Sequence, residues 1–330
     1  MAACCGACGQ AIAPMPQALS LSGDVRGAHD PAVAEENGVF YVFATGIATE
    51  ERPVPGTDRT RLPQLPIRCS NDLHHWQRCG AVFAEVPEWV RTLSPQTREL
   101  WAPDVSYFGG VFHLYYAFSV FGKNLSGIGL ATNDTLDPAS PRYRWVDRGL
   151  VLQSKAADDF NAIDPSVVLA EGQAWLSFGS FWTGIKMRRL EMKTGMLSGE
   201  NAKLYSLAAR DGESNAIEAP FVLEHDGWFY LFVSWDLCCK GATSTYQERV
   251  GRSRSVTGPY VDRAGRPMLR GGGTQVLRAN AAWVGPGGAS LLHTKSGDVM
   301  VFHAYGARDG AASLQVASVV WRDGWPVVRW

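Results

Sequence analysis

Apolar and polar positions alternate with a period of two along most of this chain, and the alternation comes in paired runs around a short turn. The runs are AVAEENGVFYVFATG from Ala32, VSYFGGVFHLYYAFS from Val105, SVVLAEGQAWLSFGSF from Ser166 and EAPFVLEHDGWFYLFVSW from Glu218. A weaker copy, GPGGASLLHTKSGDVMVFHAY, runs from Gly285 to Tyr305. Asn37-Gly38, Gly109-Gly110, Glu171-Gly172 and Asp226-Gly227 supply the turns, so each run predicts a β-hairpin. Further strands are expected in IRCSNDLHHWQRCGAVF, in GIGLATNDTL and YRWVDRGLVL, and in VGRSRSVTGPYVD. No stretch holds a helical period. A β-unit recurring every several tens of residues marks a propeller or solenoid, in which no unit buries its apolar face alone. Four strands per unit predict a five-bladed β-propeller in one all-β domain over residues 27–330. Residues 1–26 are expected to form an N-terminal extension, flexible or supplying a closing strand.

An acidic residue beside a proline heads four of the units, as Asp30-Pro31, Pro103-Asp104, Asp164-Pro165 and Glu218-Ala219-Pro220. The innermost strands of a propeller converge on one axis, so Asp30, Asp164 and Glu218 are expected to meet at the mouth. Asp104 reads better as a carboxylate that caps neighbouring backbone. Like charges gathered in one pocket raise one another's pKa, which leaves one carboxyl ionised and another protonated. Glycosidic hydrolysis needs such a pair.

The formal net charge of -1 and the lack of a dominant Lys/Arg run give no nucleic-acid footprint. No apolar run approaches the roughly 20 residues of a membrane span. Twelve Trp and ten Tyr are enough to build blade cores and also to face sugar rings. Seven cysteines in a chain this long do not make a disulfide framework. Cys4, Cys5 and Cys8 lack the second half of a zinc site. Cys69 and Cys79 flank a hairpin and read equally as a bridge or as two thiols, while adjacent Cys238 and Cys239 read as packing thiols. Met1–Ser20 carries no full secretory signal.

The residues resemble glycoside hydrolase family 43, and within it the endo-1,5-α-L-arabinanases. The resemblance rests on HDPAV, LWAPDVSYFGG, NAIDPSVV, WLSFGSFWTGIKM, AIEAPFV, CCKGATSTYQERVGRSRSVTGPYVDRAGRPM, GGGT and VFHAY, and spans about Gly27 to Trp325. It implies an inverting, single-displacement hydrolase of arabinan. Asp30 would be the general base, Glu218 the general acid, and Asp164 the residue that orients the acid and keeps its pKa high. It also implies substrate contacts at Trp101, Gly122, Asn161, Ala162, Ile163, Ser180, Phe181 and Trp182. Trp101, Phe181 and Trp182 fit blade packing as well. His303 matches a histidine associated with a central metal, usually calcium; a satisfied core histidine is the alternative.

One departure stands out: family members carry a histidine where this chain has Gly287-Gly288-Ala289-Ser290. Glu50–Pro66 is expected to overhang one rim. The absence of a sequence after Trp330 favours the compact arabinanase type, and the family's role suggests a secreted or cell-envelope location. An exo-acting arabinofuranosidase or xylosidase, and a carbohydrate-binding propeller without turnover, are the competing expectations.

Overall fold

The computed structural model describes residues 17–48, 55–210, 212 and 214–330; Cys4, Cys5, Cys8 and the start of the Glu50–Pro66 insert lie outside them. Five sheets surround one axis. Blade 1 holds β1 (Ser22–Gly23), β2 (Ala32–Glu36), β3 (Val39–Phe43), β4 (Gln64–Ser70) and β5 (His75–Phe83). Blade 2 is β6 (Trp101–Phe108), β7 (Val111–Phe118), β8 (Ser126–Asn133) and β9 (Val146–Ser154). Blade 3 is β10 (Ser166–Ala170), β11 (Gln173–Phe178), β12 (Ile185–Leu190) and β13 (Tyr205–Ala208). Blade 4 is β14 (Ile217–His225), β15 (Trp228–Trp235), β16 (Gln247–Ser253) and β17 (Thr274–Leu277). Blade 5 is β18 (Trp283–Thr294), β19 (Gly297–Gly306), β20 (Ala312–Arg322) and β21 (Trp325–Val328). The first long strands β2, β6, β10, β14 and β18 touch in that order and close the ring.

The opening hairpin of each blade falls where the alternation puts it. At Asn37-Gly38, Gly109-Gly110, Glu171-Gly172 and Asp226-Gly227 both turn residues have positive φ, the backbone that matches the twist of flanking strands. Two expectations need correction. VGRSRSVTGPYVD supplies only β16; beyond the Gly258-Pro259 turn Val261 makes isolated bridges, and the fourth strand forms later, at Thr274. One short helix, α1 (Glu88–Leu93), joins blades 1 and 2.

The second strand of each hairpin is mostly apolar because most of both its faces is buried. Successive side chains of a strand point to opposite faces, so neighbours serve different blade interfaces. Leu114, Tyr116 and Phe118 pack against Tyr41, Phe43 and Ile67 of blade 1, whereas Tyr115 packs with Leu176 and Phe178 of blade 3. Leu231 and Val233 face Ile185 and Met187, while Tyr230 and Phe232 face Met300 and Phe302. Val299 and Val301 meet Val33, Val42 and Trp76, so the last blade is packed on the first. Each such side chain contributes about 1.5–3 kcal/mol of burial.

The described part of the N-terminal stretch joins the same two blades. Leu19 N–H donates to Val316 O at 2.9 Å, Ala18 and Arg26 bridge β20, and β1 lies parallel to β5. Arg68, fully buried, donates to the carbonyls of Asp24 and Arg26, and Arg78 pairs with Asp24 at 2.6 Å. The sulfurs of Cys69 and Cys79 are bonded across the β4–β5 hairpin. Those of Cys238 and Cys239 are also bonded, which replaces the expectation of two packing thiols.

Candidate active site

The five inner strands bring equivalent tripeptides to the axis: Asp30-Pro31-Ala32, Ala102-Pro103-Asp104, Asp164-Pro165-Ser166, Ala219-Pro220-Phe221 and Gly288-Ala289-Ser290. They line one small axial cavity of about 40 Å³. The first residue of each is left-handed, with φ of 45°, 40°, 55°, 51° and 59°. The four acid–proline heads therefore occupy three different registers. Asp30 and Asp164 share the first position, Glu218 comes one residue before it, and Asp104 two residues after. Asp104 is buried on the same axial cavity, where it accepts from Val167 N at 2.9 Å, and burial lifts its pKa from 3.8 to about 7. It caps backbone, as its sequence reading suggested.

Asp30 sits on the blade 1–blade 5 side. Thr45 Oγ1 donates to its Oδ2 at 2.6 Å and itself accepts from Ala102 N at 2.7 Å. His29 Nδ1 lies 3.6 Å from Asp30 Oδ2, and His303 Nδ1 lies 3.7 Å from Oδ1. Burial alone would raise this carboxyl's pKa; the two imidazoles and the Thr45 hydroxyl outweigh it and hold the pKa below the carboxylate range. Asp30 is ionised.

Glu218 sits on the blade 3–blade 4 side, almost wholly buried. Ser180 Oγ donates to Oε2 at 2.6 Å and Tyr246 OH to Oε1 at 2.7 Å. Burial raises its pKa, the two hydroxyls oppose that, and the charge of Asp30 adds to it. Asp164 accepts from Ala219 N at 3.0 Å and so fixes the bulge that aims the adjacent Glu218. Burial first, then the charges of Glu218 and Asp30, push the Asp164 pKa well up. The three carboxyls are thus split between one ionised group and a pair that favours protons.

The expected substrate residues divide. Asn161 and Ala162 are buried: Asn161 Oδ1 accepts from Ser126 Oγ at 2.7 Å, and Ala162 N donates to Ser154 Oγ at 2.9 Å. They brace the stretch that carries half-buried Ile163 and Asp164. Ser180 is buried and committed to Glu218. Trp101, Phe181 and Trp182 are half-buried, and Gly122 stands exposed in the β7–β8 turn. Phe181 and Trp182 both have positive φ, 57° and 38°, uncommon for aromatics and a mark of imposed local strain. Sequence reasoning missed Thr45, Tyr246, His29 and Tyr305. HDPAV, STY and VFHAY contained three of them, His29, Tyr246 and Tyr305, but nothing in a linear motif tells which side chain turns to the axis.

His29, Asp30 and His303 bring one ligand atom each within 4.8 Å of one another, the one such group among the described residues. Calcium takes six to eight oxygens. One carboxylate and two imidazoles fit it only where water fills most of the shell. Gly288 borders this group; a Cβ there would lie 2.9 Å from Asp30 Oδ1 and 3.0 Å from His303 Nδ1. Its amide donates to Ser234 Oγ at 2.9 Å, and that hydroxyl donates to buried Glu248 Oε2 at 2.8 Å. Glu248 Oε1 has no partner, and burial raises its pKa from 4.5 to about 8.

A propeller mouth that holds one carboxylate ionised and keeps a proton on others is built for acid–base cleavage of a glycosidic bond. The family model "Glycosyl hydrolases family 43" matches residues 25–326, and the chain belongs to that family. It is 40% identical to the extracellular exo-α-(1→5)-L-arabinofuranosidase of Cellvibrio japonicus, over 91% of this chain and 86% of that one. It is 39% identical to the extracellular endo-α-(1→5)-L-arabinanase 1 of Bacillus subtilis, over 90% and 86%. The solved α-L-arabinanase of Cellvibrio cellulosa complexed with arabinohexaose superposes with a TM-score of 0.83 at 38% identity, covering 92% of this chain and 95% of that one.

Proposed function

We propose that this chain hydrolyses internal α-1,5-L-arabinofuranosidic bonds of arabinan by single displacement with inversion. The observation that carries this reading is the opposite protonation bias of Asp30 and Glu218 on two sides of one mouth. Its substrate comes from the similarity to an endo-arabinanase and to an arabinanase that holds arabinohexaose. Asp30 takes a proton from a water as that water attacks the anomeric carbon. Glu218 gives its proton to the departing glycosidic oxygen, and each carboxyl then returns to its starting state through solvent. A separation of about 6.5–9.5 Å between the two groups would leave room for the water. Asp164 positions Glu218 through Ala219 N, and the charge of Asp30 helps keep the proton on Glu218. Half-buried Trp101 and Phe181 offer ring faces to the furanose units.

A calcium ion, implied by the family resemblance, would be held by Asp30 and His303 with water completing its shell. When bound it would supply fixed positive charge beside the base. Chelation is expected to lower activity and added calcium to restore it; unchanged rate and melting temperature after chelation would remove the ion from the reading. Secretion is the matching location, since both relatives are named extracellular. Among the described residues no helix is long and apolar enough to cross a membrane.

Exo action is the second reading, favoured by the Cellvibrio japonicus relative. Product analysis on linear α-1,5-arabinan separates the two. Mixed oligosaccharides appearing first, and missing with Glu218→Gln, are expected. Free arabinose as the sole early product would move the reading to an exo enzyme. No product from arabinan would overturn the substrate.

A further inference from the structure

WLSFGSFWTGIKM contains one charged side chain, Lys186, near the start of β12. Lys186 is 5% exposed, and its ammonium donates to Thr183 O at 3.1 Å and to Ser206 Oγ at 3.0 Å. Both partners are neutral. A cation buried on neutral partners costs more than an apolar side chain of the same length, so packing alone does not account for a lysine there.

The ammonium holds the exit of a strained turn between β11 and β12. Positive φ occurs there at Gly179, 133°, Phe181, 57°, Trp182, 38°, and Gly184, 80°. Left-handed aromatic residues persist only where their surroundings over-determine them. Gly179 N–H donates to Ile163 O at 2.9 Å and Phe181 N–H to Ile217 O at 2.8 Å, which ties the turn to the residues just before Asp164 and Glu218. Thr183 N–H and Oγ1 both donate to Asp159 O, at 3.1 Å and 2.6 Å. The Thr183 carbonyl is the group that Lys186 takes. At the other end of the turn, the Ser180 hydroxyl meets Glu218 Oε2 at 2.6 Å.

We propose that Lys186 is a positioning residue for the reaction, fixing through Thr183 O the turn that carries Ser180, Phe181 and Trp182. The inference rests on Glu218 being the general acid and on Phe181 facing the sugar. Without the ammonium, Thr183 is held from one side only, and the two left-handed aromatics relax toward ordinary backbone. That relaxation moves the ring face offered to substrate and draws Ser180 off Glu218.

The test uses the whole chain and the variant Lys186→Met, which keeps side-chain length and removes the ammonium. It also removes the cost of a buried charge, so its melting temperature is expected to stay native or rise. On linear α-1,5-arabinan it is expected to lower kcat about tenfold, and in the Glu218→Gln chain to raise the calorimetric Kd of arabinohexaose about tenfold. The ¹H–¹⁵N indole signal of Trp182, assigned with Trp182→Phe, is expected to move with no sugar present. Lys186→Gln keeps a neutral donor one bond shorter; it should lie between native and Lys186→Met, and it carries the test if Lys186→Met does not fold. Arg68→Met removes a buried cation that holds carbonyls in blade 1. It should lower the melting temperature and leave kcat, Kd and the Trp182 signal native. A folded Lys186 variant with native kcat, Kd and Trp182 signal would overturn the proposal, whatever its melting temperature. The indole signal is read without substrate. A Trp182 signal that tracks Lys186 in a chain that does not bind arabinohexaose would therefore sink the arabinan reading and leave the positioning role standing.

Discussion

Asp30 and Asp164 are the same residue in the same Asp-Pro dipeptide, at equivalent positions of blades 1 and 3, with φ of 45° and 55°. Their protonation is nevertheless opposed. Asp30 meets two imidazoles and the Thr45 hydroxyl, which favour its anion. Asp164 meets one backbone N–H and the carboxyl groups of Glu218 and Asp30, which favour its proton. The Asp-Pro dipeptide and its backbone are matched, so the difference comes from what surrounds each carboxyl. His29 stands before Asp30 where Ile163 stands before Asp164. Thr45 of the same blade and His303 of blade 5 complete the Asp30 side. A fivefold scaffold thereby becomes a site with a basic side and an acidic side.

The largest effects should come from removing either side. Asp30→Asn and Glu218→Gln are each expected to lower kcat by about 10²–10⁴-fold, measured on linear arabinan. Asp30→Asn also withdraws a negative charge that raises the Glu218 pKa. Carbon-13 titration of the Glu218 carboxyl should show it ionising at lower pH in that variant; an unmoved titration would mean the two sides are independent.

Gly288→Ala comes next. Its Cβ would press on Asp30 Oδ1 and His303 at a left-handed φ, so a drop in kcat of about tenfold is expected. A native rate would show that the carboxylate can move aside freely.

Tyr246→Phe acts on the acidic side and should move the pH–rate profile more than the rate. The lost hydrogen bond favoured the Glu218 anion, so its removal raises the Glu218 pKa. The alkaline limb should shift to higher pH.

The smallest effect concerns stability away from the reacting groups. Glu248 has a folded pKa near 8 against the ordinary 4.5. The native state therefore keeps a proton that the unfolded chain loses between these values. Stability from this group is full below about pH 4.5 and falls as pH rises toward 8. Glu248→Gln should flatten that part of the curve in denaturant titrations across the range. An unchanged slope would assign the pH dependence to Asp104, which is also shifted upward.

Much of this molecule was legible in its sequence. Period-two alternation around Asn-Gly and Gly-Gly turns is a local property of β-hairpins, so blades, turns and inner strands could be placed from residue types alone. The family motifs likewise pointed to Asp30, Asp164 and Glu218 before their geometry was known. The fourth strand of blade 4 was misplaced because VGRSRSVTGPYVD alternates as a strand does, while pairing at Thr274–Leu277 depends on which segment reaches the open edge of β16. Asp104, read from the sequence as a backbone cap, has the Val167 N–H as its partner. A two-residue offset in register separates it from Asp30 and Asp164, and register belongs to the assembled sheet.

The sequence by itself determined a five-bladed propeller with acidic residues at the heads of its inner strands, because hydrophobic period and turn chemistry act over a few residues. Only the tertiary structure decided which acid is ionised, which side chains face the axis, and that the Tyr246 hydroxyl meets Glu218 while the Tyr305 hydroxyl meets His29 beside Asp30. Those outcomes depend on charge and hydrogen bonding between residues as far apart in the chain as Asp30 and His303, and such distances are set only when the blades close.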